Sequence, residues 1–312
     1  MNQSSEQTAA VAAAPQGVAG GLLLATLGAI AFSGKAIIVK LGYRYGADAV
    51  LLLMLRMLFA LPLFLCMAWW AGRGQSPLSR QDWLGVLGLG FSGYYLSSFL
   101  DFAGLQYITA SLERLILYLN PTLVVIFGWV VYRRTITRGQ LAGMVLSYCG
   151  VLLVFGHELG AQGSHAVWGA FLVLASAISY AVYLIYSGEM VRCLGSLRLV
   201  GLATSVACVL CIAQFALVRD VASLQAVPSQ VLWLSLLNAL LCTAAPVLMV
   251  MMAIERIGPG LTAQTGMIGP LSTILMGVWL LDEGFNRWIL LGTCLVMGGI
   301  LLFTRKARRQ QG

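Results

Sequence analysis

Residues 51–70 read LLLMLRMLFALPLFLCMAWW, with apolar side chains at odd and even positions alike and one charge, Arg56. As a helix, a segment of this length spans ~30 Å, the thickness of the hydrocarbon core of a bilayer. A membrane barrel would require short strands in which apolar and polar positions alternate, and here they do not. The rest of the chain continues the pattern: only 10% of its residues are charged and 60% are hydrophobic. A soluble domain carries roughly a quarter charged residues, so this chain has too few to cover a water-facing surface. An all-α integral membrane protein is the class that remains.

Apolar runs bounded by Gly, Pro or charge predict ten helices. They fall at about 18–40, 49–71, 83–107, 109–131, 138–156, 166–187, 197–218, 230–254, 259–281 and 286–304. The boundary between the third and fourth rests on a turn at Tyr107-Ile108-Thr109, and that between the eighth and ninth on Gly258-Pro259. Ten crossings place both termini on one side, and the basic residues choose it. With the termini inside, twelve of the 19 Lys and Arg residues lie in cytoplasmic loops and tails, against four outside (Lys40, Arg44, Arg219 and Arg287). The remaining three, Lys35, Arg56 and Arg114, fall within spans. Residues 1–17 read as a disordered cytoplasmic tail without the basic start of a secretory signal, and 305–312 as a basic cytoplasmic tail.

The net charge of +8 does not suggest nucleic acid, because the basic residues punctuate apolar segments instead of lining one polar face. The seven cysteines are odd in number and lie in or beside apolar stretches, which argues against a disulfide framework. Cys208 and Cys211 read as small apolar side chains. No phosphate-binding GxxxxGK[ST] loop is present, and His157 and His165 lack companions at metal-ligand spacing. No cofactor and no metal are expected.

An offset of 149 residues superposes Leu112 on Leu261, Pro121 on Pro270, Gly128 on Gly277, Arg138 on Arg287, Gly143 on Gly292 and Gly150 on Gly299. Leucine pairs are common in an apolar chain, but one register that also matches a Pro, three Gly and an Arg indicates a duplication. The units are 18–157 and 166–304, five helices each. Five being odd, the second unit enters the membrane from the opposite face, and a binding site is expected near the midplane where inverted repeats meet.

The duplicated stretches ITASLERLILYLNPTLVVIFGWVVYRRTITRGQLAGMVLSYCGVLLV and IGPGLTAQTGMIGPLSTILMGVWLLDEGFNRWILLGTCLVMGGILLF, with LMLRMLFALPL in the second helix, resemble the drug/metabolite transporter superfamily, and within it the EamA-type ten-helix exporters. The resemblance implies a secondary transporter in a plasma membrane, a bacterial inner membrane being expected. It implies export of a small polar or amphipathic metabolite, such as an amino acid, by alternating access, as a monomer or homodimer. The loop Glu typical of the family is Glu283, whereas its repeat mate is Arg134.

Charges inside the hydrocarbon layer are costly and default to functional hypotheses. Lys35, Arg56, Asp101, Glu113 and Arg114 all fall in one layer, roughly 6–11 Å in from the outer face at 1.5 Å per residue. Lys35, Asp101, Glu113 and Arg114 are expected to form a polar cluster on the substrate pathway, with Lys35 alternatively snorkelling to the headgroups. The cationic surplus suits a carboxylate or phosphate on the substrate, and an embedded carboxylate can carry a coupling proton. Tyr118, Asn120 and Gln264 are further pathway candidates, the second-half positions corresponding to Glu113 and the two residues after it being the uncharged Thr262, Ala263 and Gln264. Pro121 and Pro270 are expected to kink moving helices, and Arg56 and Glu283 to be structural charges, Arg56 through a salt bridge. Tyr94, Tyr95, Tyr180, Tyr183 and Trp279 either line a cavity or anchor at the interfaces.

A membrane-embedded lipid-modifying enzyme is the competing class, but no HExxH, paired-Asp or Ser/His arrangement is found, so an enzyme is not expected. A lipid or multidrug flippase differs by a lateral opening that residue patterns do not show. The twelve-to-four bias makes a direct prediction about orientation. Arg309→Cys should resist an impermeant thiol reagent applied to intact cells, and labelling from outside would reverse the topology.

Overall fold

The computed structural model describes residues 15–133 and 135–308, excluding the side chains of 15–17, 132, 161–162, 189, 258–260, 263–264 and 303–308. These residues form helices with no strand among them. In the first half they are α1 (Pro15–Arg44), α2 (Ala49–Gly72), α3 (Arg80–Leu89), α4 (Ser97–Leu105), α5 (Ala110–Leu117), α6 (Asn120–Tyr132) and α7 (Arg138–Gln162). In the second they are α8 (Ser164–Leu194), α9 (Ser196–Val218), α10 (Ser229–Ala239), α11 (Ala245–Thr265), α12 (Gly269–Leu281) and α13 (Arg287–Arg308). Among the described residues seven helical runs are long and apolar enough to cross a membrane, and Gly266–Leu281 and Arg287–Leu302 are shorter apolar helices.

Local chemistry sets the starts. Asp48 caps α2 by accepting from Leu51 N, and Ser79 with Asp82 forms a capping box on α3. Thr137 with Gln140 forms another on α7; each satisfies amides that have no partner in the first turn.

The expected boundary at Gly258-Pro259 is overturned: helix α11 runs continuously from Ala245 to Thr265, and the chain turns at the 3₁₀ segment Gly266–Ile268. A proline removes one backbone bond, whereas opening the helix would leave several groups unpaired. The third-to-fourth boundary holds within a few residues, α4 ending at Leu105 and α5 starting at Ala110. Two π-helical segments were not expected. Gly90–Leu96 joins α3 to α4, and Leu240–Ala244 joins α10 to α11.

The 149-residue register extends to the architecture. Helix starts at Arg80 and Ser229, Asn120 and Gly269, and Arg138 and Arg287 share that spacing. So do Arg133 and Asp282, which end α6 and α12 in the left-handed region at φ 52° and 57°. Packing follows the same exchange: α2 lies along α9 and α7 along α13, α1 packs on α11 and α12, and α8 packs on α4 and α6. Large apolar side chains such as Leu217, 87% exposed, and Trp279, 84% exposed, form the periphery. They suit a lipid solvent.

The crossing of α7 and α13 depends on glycine. A Cβ at Gly150 would lie 2.6 Å from Gly292 O, and one at Gly299 would lie 2.5 Å from Gly143 O. These small residues let the two backbones touch, which is how helices associate where burial of apolar surface gives no advantage over lipid. Gly150→Leu is therefore expected to destabilise by about 1–3 kcal/mol or more through overpacking. Gly156→Leu, in the same helix with open space around it, should melt in detergent like the parent; equal melting of both variants would dismiss the close crossing.

Candidate functional site

A cavity of about 270 Å³ lies between α1, α2, α4, α5, α8 and the π segment at Leu240–Ala244. Lys35, Arg56, Asp101 and Arg114 face it, together with Tyr94, Asn120, Tyr118 and Tyr180. Lys35 Nζ sits 2.5 Å from Asp101 Oδ2 and 3.3 Å from Glu113 Oε1. Lys35 is 8% exposed and Glu113 fully buried, so Lys35 does not snorkel; one ammonium serves two carboxylates from α4 and α5.

Arg114 adjoins Glu113 in sequence but projects elsewhere, since consecutive helical positions point about 100° apart. Its Nε donates to Thr273 Oγ1 at 2.9 Å and its Nη2 to Phe32 O at 3.1 Å, tying α5 to α12 and α1. The expected cluster of four is thus a triad of Lys35, Asp101 and Glu113, with Arg114 on another wall of the same cavity. Arg56 also departs from expectation. Among the described residues no carboxylate lies within ion-pair distance of it. Its Nη2 donates to Ser98 Oγ at 3.2 Å and its guanidinium lies 4.9 Å from the centre of the Phe102 ring. Asp101 and Glu113 pair with Lys35 instead.

Pro121 and Pro270 stand in the first turn of α6 and α12, after breaks at Tyr118-Leu119 and at Gly266–Ile268. They therefore begin helices rather than bend them, at a position where a missing N–H is tolerated. Pro270 cannot donate to Gly266 O, which accepts instead from the Gly269 N–H and, from another helix, from Tyr118 OH at 2.7 Å. Ser33 Oγ donates to Gly269 O at 2.9 Å. Tyr118, Arg114 and Phe32 also line a second cavity, of about 320 Å³, among α1, α5, α11 and α12, which includes the buried Thr262. These three side chains separate the two cavities. The side chain of Gln264 lies outside the described residues.

Glu283 caps a neighbouring helix. Its carboxylate accepts from Ala110 N at 2.7 Å, Ser111 N at 3.3 Å and Ser111 Oγ at 2.9 Å, satisfying free amides of α5 in favourable alignment with the helix dipole. A Cβ at Gly277 would crowd Glu283 Oε2 at 2.9 Å, so the glycine keeps that space open. Its repeat mate Arg134 lies outside the described residues. Glu158, not singled out from sequence, accepts from Thr109 N at 3.2 Å and from Thr109 Oγ1. Arg44 donates to Leu281 O and Tyr43 OH to Phe102 O. One end of the bundle is thereby laced across α1, α4, α5, α7 and α12.

Of the aromatic candidates, Tyr94, Tyr118 and Tyr180 reach the cavity. Tyr183 backs them, its hydroxyl 3.1 Å from that of Tyr94, while Tyr95 packs into an apolar cluster and Trp279 faces outward. Sequence reasoning missed the hydroxyls of Ser97, Ser98, Ser176, Thr204 and Thr243 along the wall. Small hydroxyl residues are common in packed membrane helices, and no local pattern marks them.

The model of the EamA-like transporter family matches residues 19–156 and again 167–305. A protein named uncharacterized transporter YcbK from Bacillus subtilis (strain 168) is 30% identical over 280 residues, covering 85% of this chain and 86% of that one. An uncharacterized transporter from Archaeoglobus fulgidus is 25% identical over 285 residues, covering 91% and 97%. Among solved structures, one described only as a crystal structure of a protein superposes with a TM-score of 0.63 at 20% identity, covering 94% of this chain and 98% of that chain. That likeness speaks to the fold alone.

The triad makes a stability prediction. Lys35→Met leaves two buried carboxylates without their cation and is expected to cost about 3–5 kcal/mol. The triple variant Lys35→Met/Asp101→Asn/Glu113→Gln should recover most of that loss, because it removes the charges together. Thermal melting in detergent reads both, and a Lys35→Met protein as stable as its parent would contradict the pairing.

Proposed function

Because the chain belongs to the EamA-like transporter family, and is thus a multi-pass membrane transporter, we propose that it is a secondary active exporter of a small polar or amphipathic metabolite, working by alternating access. An amino acid or related compound is the expected cargo. The observation that carries this reading is the charged cavity itself, set among helices of both halves in a bundle whose periphery is apolar. Buried charges at that depth are expensive, and a substrate pathway is the use that offsets their cost.

The two halves, 18–157 and 166–304, are inverted five-helix repeats that give ten crossings with both termini in the cytoplasm of a bacterial cell. The shared 149-residue register and the distribution of basic residues support this arrangement. The moving parts are the broken elements α5–α6 and α11–α12, whose breaks meet where Tyr118 reaches Gly266. Interrupted helices near the midplane allow one half to rock against the other around a fixed site. Glu113, behind Asp101 on the shared ammonium, is the group that would carry a coupling proton. The working unit is a monomer or homodimer.

Counterflow in proteoliposomes, run across a metabolite panel with and without a proton gradient, tests this function. Failure of every compound to exchange through folded protein would sink it. Pro121→Ala and Pro270→Ala should restore a backbone donor and stiffen the breaks, slowing counterflow severalfold while leaving protein abundance near the parent's. Parallel loss of abundance and rate would instead make both prolines structural.

A further inference from the structure

Five acidic or basic side chains lie in or directly behind the cavity: Lys35, Arg56 and Arg114 against Asp101 and Glu113. With all five ionised the site carries a surplus of one positive charge. Lys35 is committed to both carboxylates, so the surplus resides on the two guanidiniums, neither of which has a carboxylate within ion-pair distance among the described residues. Arg114 spends donors on Thr273 and Phe32. Arg56 is less satisfied: it is 5% exposed, and its Nε has no hydrogen-bond partner. A guanidinium buried in this way lacks the counter-ion that normally offsets its desolvation, and a carboxylate is the group that matches its fork with two parallel bonds.

The rest of the wall restricts the body of the ligand. Phe32, Phe64, Tyr94, Tyr118 and Tyr180 bound the space, and flat or apolar groups pack well on such rings. The buried carbonyl oxygen of Asn120 has no donor, and a hydroxyl would supply one. A volume of about 270 Å³ lies at or just below the small end of ligand pockets, ~300–1,000 Å³, which favours a compact metabolite over a drug-sized molecule. A cation would add to the surplus and a zwitterion would leave it unchanged. Uptake of a proton by either carboxylate raises the surplus, so protonation strengthens the preference for an anion.

We propose, resting on the transporter reading above but narrowing its cargo from amino acids to related anions, that the substrate is a compact aromatic or apolar monocarboxylate bearing a hydroxyl, and that Arg56 is the residue that binds its carboxylate. Arg56 is then a specificity determinant rather than a structural charge.

Calorimetric titration of the purified, detergent-solubilised protein with 4-hydroxybenzoate, its methyl ester, phenylalanine and tyramine compares anion, neutral, zwitterion and cation among small aromatic compounds. The acid is expected to bind about tenfold or more tightly than each of the others, as a charged hydrogen-bonded contact provides. Arg56→Gln should bring acid and ester to similar affinity, whereas a merely structural loss would weaken all four together. Should Arg56→Gln not fold, Arg56→Lys decides, with a severalfold loss for the acid and none for the ester. Equal or tighter binding of phenylalanine or tyramine, or binding of none of the four, overturns the inference. Counterflow of a zwitterion with no preference for the anion would overturn it too, and would leave the transport reading standing.

Discussion

A backbone carbonyl or amide left unpaired in hydrocarbon costs several kcal/mol, and this is why spanning segments are helices and why any break in one must be answered by a side chain. In this molecule the answers come from other helices. Tyr118 adds a donor to Gly266 O, which the Gly269 N–H also reaches, and Ser33 adds one to Gly269 O beside Thr273 Oγ1. Glu283 takes the open amides of α5. Arg44 donates to the Leu281 carbonyl. The contacts that satisfy the backbone are therefore the same contacts that join the two halves, so a rearrangement of either broken element must exchange these partners.

The polar interior follows from the same economy of partners. One lysine and two carboxylates neutralise each other only in part, and two guanidiniums remain to face the cavity. Removing any one member leaves an uncompensated charge in a medium that screens poorly, whereas removing a balanced set is tolerated. Stability measurements alone thus cannot separate a packing role from a binding role at Lys35 or Glu113; ligand selectivity can, because packing is indifferent to the charge of a solute. Arg56 is the position where the two roles diverge most, since its missing partner is absent from the chain's own described carboxylates.

Much of the architecture was legible because partition between water and hydrocarbon is written over windows of about twenty residues. The starts of α2 at Ala49 and of α7 at Arg138 fall where the apolar runs predicted them, and α3 begins three residues before its run, at Arg80. The duplication was visible in one register, and of the charges that helix rise put in one layer, Lys35, Asp101 and Glu113 meet in the structure. Less was legible where two signals competed. Gly258-Pro259 looks like a terminus, yet the helix passes through it, because continuing leaves fewer groups unpaired than stopping. The π segments at Gly90–Leu96 and Leu240–Ala244 have no local signature, and they bring Gly93, Tyr94, Cys242 and Thr243 to the cavity.

What the sequence by itself determined is the class of molecule: an α-helical membrane protein of duplicated pattern, with a defined set of charges inside its apolar segments. Composition and period are local properties, and the bilayer acts on them segment by segment. Which charge meets which was decided only by tertiary structure. Lys35 and Asp101 are 66 residues apart, and Arg114 and Thr273 are 159 apart. Their meeting depends on the rotational phase of each helix and on crossings set by glycines such as Gly150 and Gly299. A phase error of one residue turns a side chain by about 100°, enough to exchange the partners of Lys35 and Arg56, and no linear pattern carries that information.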